Sequence, residues 1–166
     1  GAAIVLLVGI ALGFLFGPQS GAAWYNALQK PALTPPAWLF GPVWSALYIM
    51  IGAAGGLIWR NSFNRARFWY LLQLVLNFLW TPIFFGMQRP DLALGLILAL
   101  IIAALVATLR MGAVSRLAGW LMVPYLVWIS FAAVLNFRIW QLNGRIPIWA
   151  LTRQGRSYAK PEQIFR

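Results

Sequence analysis

The stretch LALGLILALIIAALVATL, residues 92–109, lies between Asp91 and Arg110 and contains no charged side chain. A helix needs about 20 apolar residues to cross the roughly 30 Å hydrocarbon core of a bilayer. In lipid, only helices and closed barrels satisfy every backbone N–H and C=O group. Barrel strands would alternate polar and apolar residues, and this stretch does not. The stretch therefore predicts a membrane-spanning helix.

Four further apolar segments accompany this one. The chain is 62% hydrophobic and 9% charged, whereas about a quarter of the residues in a soluble protein are charged. The sequence therefore predicts an all-α integral membrane protein, a bundle of five transmembrane helices over residues 1–143 with a basic C-terminal tail over residues 144–166. The predicted helices are about Ala2–Phe16, Leu39–Trp59, Phe68–Met87, Leu92–Leu109 and Leu117–Leu142.

The charged residues exclude several classes of function. The net charge is +11, and only Asp91 and Glu162 are acidic. The basic residues fall mainly between or after the apolar segments, as expected at the ends of membrane spans next to anionic lipid, so we expect a lipid bilayer and no nucleic acid as partner. The chain has no Cys and no His, which excludes thiolate and imidazole chemistry. We therefore expect no metal site and no required cofactor.

Three of the predicted helices carry a stripe of aromatic and polar side chains. Such residues are costly to expose to lipid, so they mark either helix packing or a binding site. Stripes on three helices together predict a cavity walled by Trp and Tyr, which suits a flat and mostly apolar ligand. At 100° per residue, the stripes consist of Trp44 and Tyr48; Gln73, Asn77, Trp80, Thr81 and Phe84; and Tyr125, Trp128, Ala132 and Asn136.

The first connector, about Pro18 to Trp38, is long and rich in proline and aromatic residues. Its end and the start of the second helix form the sequence PALTPPAWLFGPVW of residues 31–44. Proline fixes φ and biases the preceding residue towards an extended conformation. We therefore predict a shaped cover over the helix ends. A rigid spacer that sets the angle of the second helix remains the alternative.

Three segments together resemble the signatures of the TspO/MBR family, the tryptophan-rich sensory or translocator proteins. They are WYNALQKPALTPPAWLFGPVWSALY in the first connector and second helix, LNFLWTPIFFGMQRPDLAL in the third helix, and VPYLVWISFAAVLNFRIWQLN in the fifth. The resemblance covers about residues 3–143, with the signatures in the same order and at matching spacing.

The resemblance implies a five-helix bundle, homodimeric in many members, in a bacterial membrane rather than the mitochondrial outer membrane. It implies that porphyrins (protoporphyrin IX or haem), sterols and benzodiazepine-site ligands bind under the first connector. Sterol is the less favoured ligand, because the proposed cholesterol motif needs a Tyr where this chain has Phe137. A separate departure lies in the connector, where Leu33 takes a position at which members often have an aromatic residue. With the stripes, the expected ligand-binding residues are Tyr25, Pro35, Trp44, Tyr48, Asn77, Trp80, Phe84, Tyr125, Trp128 and Ala132.

Three hypotheses about function follow and stay open at this point. The first is a protein that binds porphyrins for transport or sensing. The second is an enzyme for the light- or oxygen-dependent breakdown of protoporphyrin, an activity of this family, with Trp44 and Trp128 as the candidate catalytic residues. The third is a structural or regulatory membrane protein whose cavity no longer binds a ligand.

Overall fold

The computed structural model describes residues 2–16, 22–59 and 65–143. The predicted basic tail, residues 144–166, lies outside this part of the chain. Every described element is helical, which confirms the predicted all-α class. The elements are α1 (Ala2–Phe16), α2 (Ala22–Ala27), α3 (Ala37–Ile58), α4 (Arg65–Thr81) with a π-helical segment (Pro82–Gly86), α5 (Pro90–Val114) and α6 (Arg116–Asn143).

Four helices are long and apolar enough to span a membrane: α3, α4 with its π-helical segment, α5 and α6. A fifth, α1, is apolar but shorter, with 15 described residues, or about 22 Å at 1.5 Å per residue. The arrangement fits the predicted five-helix bundle. The helix ends lie close to the predicted ones, although α4 and α5 begin earlier and α5 continues further.

The segment RMGAVSR, residues 110–116, is not the connector that the sequence predicts. The helix α5 continues to Val114, and only Ser115 separates it from α6, with extended backbone angles of φ −149° and ψ 118°. Ser115 accepts a hydrogen bond from the Ala118 N–H through its hydroxyl over 3.4 Å, in the manner of a helix N-cap. A basic residue at the end of an apolar run marks the membrane surface, and the helix continues beyond it.

The end of α4 widens into the π-helical segment at Pro82. Proline has no N–H to donate to the preceding turn, so the regular hydrogen-bond ladder fails at this position. The Met87 N–H instead donates to the Pro82 carbonyl over 2.9 Å. Both Phe84 and Phe85 are buried as a result, and both lie at the end of the bundle that the first connector covers.

Small residues set the closest helix contacts. A Cβ on Gly119 of α6 would lie 2.8 Å from the Gly112 Cα of α5, so these two backbones touch. A Cβ on Gly9 of α1 would overlap the Tyr48 ring of α3. The helix α5 buries one face against α4 and α6 and exposes leucines on the other.

Candidate functional site

A cavity of about 580 Å³ lies between α1, α3, the end of α4 and α6, beneath α2. Its volume is within the range of about 300–1,000 Å³ that is typical of small-molecule sites. None of the described residues that line it is charged. No residue of α5 contributes, because α5 packs behind α4 and α6.

Seven of the ten predicted site residues line this cavity, and three do not. The connector contributes Tyr25, and the bundle contributes the others. Pro35 is half-buried in the connector but does not reach the lining. Asn77 and Tyr125 are buried behind the wall rather than in it. The seven lining residues are Tyr25, Trp44, Tyr48, Trp80, Phe84, Trp128 and Ala132.

The walls are built from aromatic pairs, two of them formed along one helix and one formed between α3 and α6. Trp44 stacks on Tyr48 one turn along α3, with ring centroids 5.3 Å apart and an interplanar angle of 30°. Trp80 and Phe84 stack in the same way, at 5.0 Å and 19°. Trp128 of α6 meets Trp44 edge-on at 6.5 Å and 87°. These contacts hold the indole rings in fixed orientations around the space.

A hydrogen-bonded chain joins three helices behind the wall. The Tyr48 hydroxyl donates to Asn77 Oδ1 over 2.9 Å, and Asn77 Nδ2–H donates to the Tyr125 hydroxyl oxygen over 3.0 Å. Tyr48 is the only member of the three that reaches the cavity. The sequence predicts Asn77 and Tyr125 as ligand contacts. In the structure they lie behind the cavity wall and orient Tyr48, which borders the cavity.

The lining also holds buried polar atoms without a protein partner. The indole Nε1–H groups of Trp80 and Trp128 have no acceptor among the described residues, and Asn136 Oδ1 has no donor. The Asn136 amide is nevertheless oriented, because its Nδ2–H donates to the Pro90 carbonyl over 2.7 Å. Each of these atoms is buried with almost no accessible surface, so none of them faces the open space of the cavity.

The cover of the cavity contains a short helix, α2, within the stretch that the sequence predicts only as a connector. Tyr25 packs edge-to-face on Phe85, with centroids 5.4 Å apart, and Trp24 packs on Phe84 at 5.7 Å. Burial raises the pKa of the Tyr25 phenol above its usual value, so this ring is uncharged at neutral pH. The spacing of Trp24, Tyr25 and Leu28 is a helical one and could have indicated this turn.

One side of the cavity borders the outside of the bundle, between α1 and the first half of α3. Gly13 and Gly41 both line the cavity, and a Cβ on either would meet no atom within 4 Å. Ile10 and Trp38, which also line it, are exposed. None of the expected ligand-binding residues is in α1, although Gly9, Ile10 and Gly13 line the cavity. At Gly9 the packing is real, and at Gly13 the small residue leaves space.

Comparison with known proteins gives one consistent result. The sequence model of the TspO/MBR family matches residues 2–141. The chain is 44% identical to the tryptophan-rich protein TspO of Archaeoglobus fulgidus, covering 84% of this chain and 92% of that protein. It is 42% identical to protein CrtK of Rhodobacter capsulatus, covering 83% and 88%. It is 38% identical to the human translocator protein, covering 82% and 84%.

Proposed function

The chain belongs to the TspO/MBR family, and on this premise we propose that it binds porphyrins in the aromatic cavity for transport or sensing. Family membership and the helices make it a multi-pass integral membrane protein. Relatives named translocator protein and tryptophan-rich sensory protein support a role in membrane transport or sensing. The observation that carries the porphyrin proposal is the cavity itself, which is walled by Trp44, Trp80 and Trp128 and lined by no charged residue in the described part of the chain.

Binding would rest on stacking and apolar burial. Flat ring systems stack on indole faces. For nucleobases each such contact is worth about 1–3 kcal/mol when the aromatic partner is replaced by alanine, and we expect a similar value for a porphyrin ring. A chain without His or Cys cannot offer haem iron an imidazole or thiolate. A metal-free porphyrin should therefore bind about as tightly as haem.

A titration of the purified protein with protoporphyrin IX and with haem tests this proposal. Tryptophan fluorescence quenching should saturate for both ligands in the wild type. Trp128→Ala should weaken binding by about 1–3 kcal/mol. Trp120→Ala is the matched control, because Trp120 is on the same helix but 71% exposed and outside the cavity. Equal affinities of all three proteins, or haem binding far more tightly than protoporphyrin, would contradict the proposal.

A second candidate is the oxygen- and light-dependent breakdown of protoporphyrin. The perpendicular contact of Trp44 and Trp128 favours it, because both indoles border the ligand space and an indole can donate an electron to a photoexcited ring. Molecular oxygen would be the oxidant. Illumination of the complex in air should give a new absorbing product. The product should disappear in Trp44→Phe and Trp128→Phe and persist in Trp120→Phe. Product formation at an unchanged rate in the first two variants would rule out these tryptophans as catalytic residues.

A further inference from the structure

Lys30 lies at the connector end of the cavity. Its Nζ atom is 4.5 Å from the centroid of the Tyr25 ring, and Tyr25 is part of the cavity lining. The positive charge is therefore one ring away from the ligand space. Contact with the face of an aromatic ring attracts an ammonium group and limits the positions it occupies. Lys30 is half-buried, unlike a freely rotating surface lysine.

The backbone around Lys30 is held on both sides. Before it, the Gln29 N–H donates to Asn143 Oδ1 over 3.1 Å, and Asn143 Nδ2–H donates back to the Gln29 carbonyl over 2.9 Å. After it, Pro31 restricts the conformation of Lys30 itself, and the Thr34 N–H closes a turn onto the Pro31 carbonyl over 3.0 Å. These contacts tie the connector to the last residue of α6 and fix the position of the Lys30 backbone.

The charges nearby leave Lys30 available for an anion. Among the described residues the one ion pair joins Arg89 to Asp91, so no carboxylate of that part of the chain pairs with Lys30. A carboxylate placed deep in the cavity would be costly, because the described lining contains no charge to compensate it. At the connector end, the same carboxylate could meet Lys30 and keep part of its hydration.

We propose that Lys30 binds a carboxylate of the ligand, so that the ligand's acidic edge points to the connector while its apolar ring system fills the cavity. This inference rests on the proposed function, since it needs a ligand in the cavity. It selects a chemical class within that proposal, namely flat tetrapyrroles with carboxylate side chains on one edge. A neutral sterol offers nothing to this lysine.

Two ligands that share one ring system and differ in whether their two acidic side chains are charged test the proposal. Protoporphyrin IX carries two carboxylates, and its dimethyl ester carries none. Both are titrated by fluorescence into the full chain in phosphatidylcholine nanodiscs. Lys30→Gln should weaken protoporphyrin IX binding about threefold to fivefold, the upper range for a single solvent-accessible ion pair, and leave the ester unchanged. Raised salt should weaken only the acid.

Two further variants separate a specific contact from general effects. Arg138→Gln removes one charge from an exposed residue near the same end of α6, and it should change the affinity of neither ligand. Lys30→Arg keeps the charge and should retain the preference for the acid over the ester. Both variants also show whether the bundle tolerates substitution at this end.

Several outcomes would overturn the proposal. If Lys30→Gln weakens the acid and the ester equally, Lys30 acts only by supporting the connector. If Lys30→Gln weakens the binding of neither ligand, Lys30 does not contact the ligand. If an effect appears only in nanodiscs that contain phosphatidylglycerol, the lysine binds an anionic lipid headgroup instead. Absence of saturable binding of either ligand to the wild type would instead refute the proposed function, which is a different result.

Discussion

The hydrogen-bonded chain Tyr48–Asn77–Tyr125 allows a quantitative prediction about the stability of the bundle. Its three side chains come from α3, α4 and α6 and are between 0% and 7% exposed. A hydrogen bond between membrane helices contributes about 0.6 kcal/mol on average and up to about 1.7 kcal/mol. Because Tyr125 is fully buried, Tyr125→Phe leaves an Asn77 N–H that no water can reach. We expect its cost near the upper value, at about 1–1.7 kcal/mol.

Removing the hydrogen bond between Tyr48 and Asn77, at the other end of the hydrogen-bonded chain, should cost less stability. Tyr48 borders the cavity, so water there can reach Asn77 Oδ1 after Tyr48→Phe. We expect a loss of about 0.5 kcal/mol. Asn77→Leu removes both hydrogen bonds and leaves the hydroxyl groups of Tyr48 and Tyr125 without a partner. The loss of stability should therefore approach the sum of the two single losses, about 1.5–2 kcal/mol.

Reversible unfolding in mixed detergent micelles, followed by tryptophan fluorescence, measures these free energies. Tyr70→Phe is the control, because the Tyr70 hydroxyl donates over 3.3 Å to a carbonyl of Ile51 inside α3. The helix already supplies that carbonyl with a donor, so the loss should be small. The reasoning is refuted if Tyr48→Phe costs as much as Tyr125→Phe, or if Tyr125→Phe costs no more than Tyr70→Phe.

Three further variants test the helix contacts and the cover. Gly9→Ala should cost about 1–3 kcal/mol in the same unfolding assay, because the added methyl overlaps the Tyr48 ring and that ring is fixed by its neighbours. Gly119→Ala should cost a similar amount, since the methyl meets backbone atoms of α5. Asn143→Leu should release Gln29, and faster amide hydrogen exchange in the connector, with the exchange of α3–α6 unchanged, would show it.

The sequence predicts the helices well because each apolar run has to satisfy its backbone internally in lipid. It also predicts which faces of α3, α4 and α6 meet, since periodicity fixes the stripe on each helix. Periodicity cannot fix how far one helix is rotated against the next. That rotation decides that Tyr48 lines the cavity while Asn77 and Tyr125 lie behind it.

Other features depend on local geometry that no periodicity contains. Pro82 is visible in the sequence, but the π-helical segment it causes shifts the register of the helix and buries Phe85 beside Phe84. Pro35 was expected in the lining from the resemblance alone, and in the structure it follows the turn closed by Thr34 and does not reach the lining. The clasp between Gln29 and Asn143 joins residues 114 positions apart, and nothing in either local sequence indicates that pairing.

The central claim is that the ligand occupies this cavity, and filling the cavity tests it most directly. The double variant with Gly13→Phe and Gly41→Phe would place two phenyl rings in the ligand space. Neither new Cβ atom would lie within 4 Å of another atom. Phe at both Gly56 and Gly95 is the matched control, since these glycines also have open space but lie outside the cavity. In a protoporphyrin IX titration, the first double variant should lose affinity by about tenfold or more, equal to about 1.4 kcal/mol. The control should bind as the wild type does. Unchanged binding by the cavity-filled variant would contradict the account.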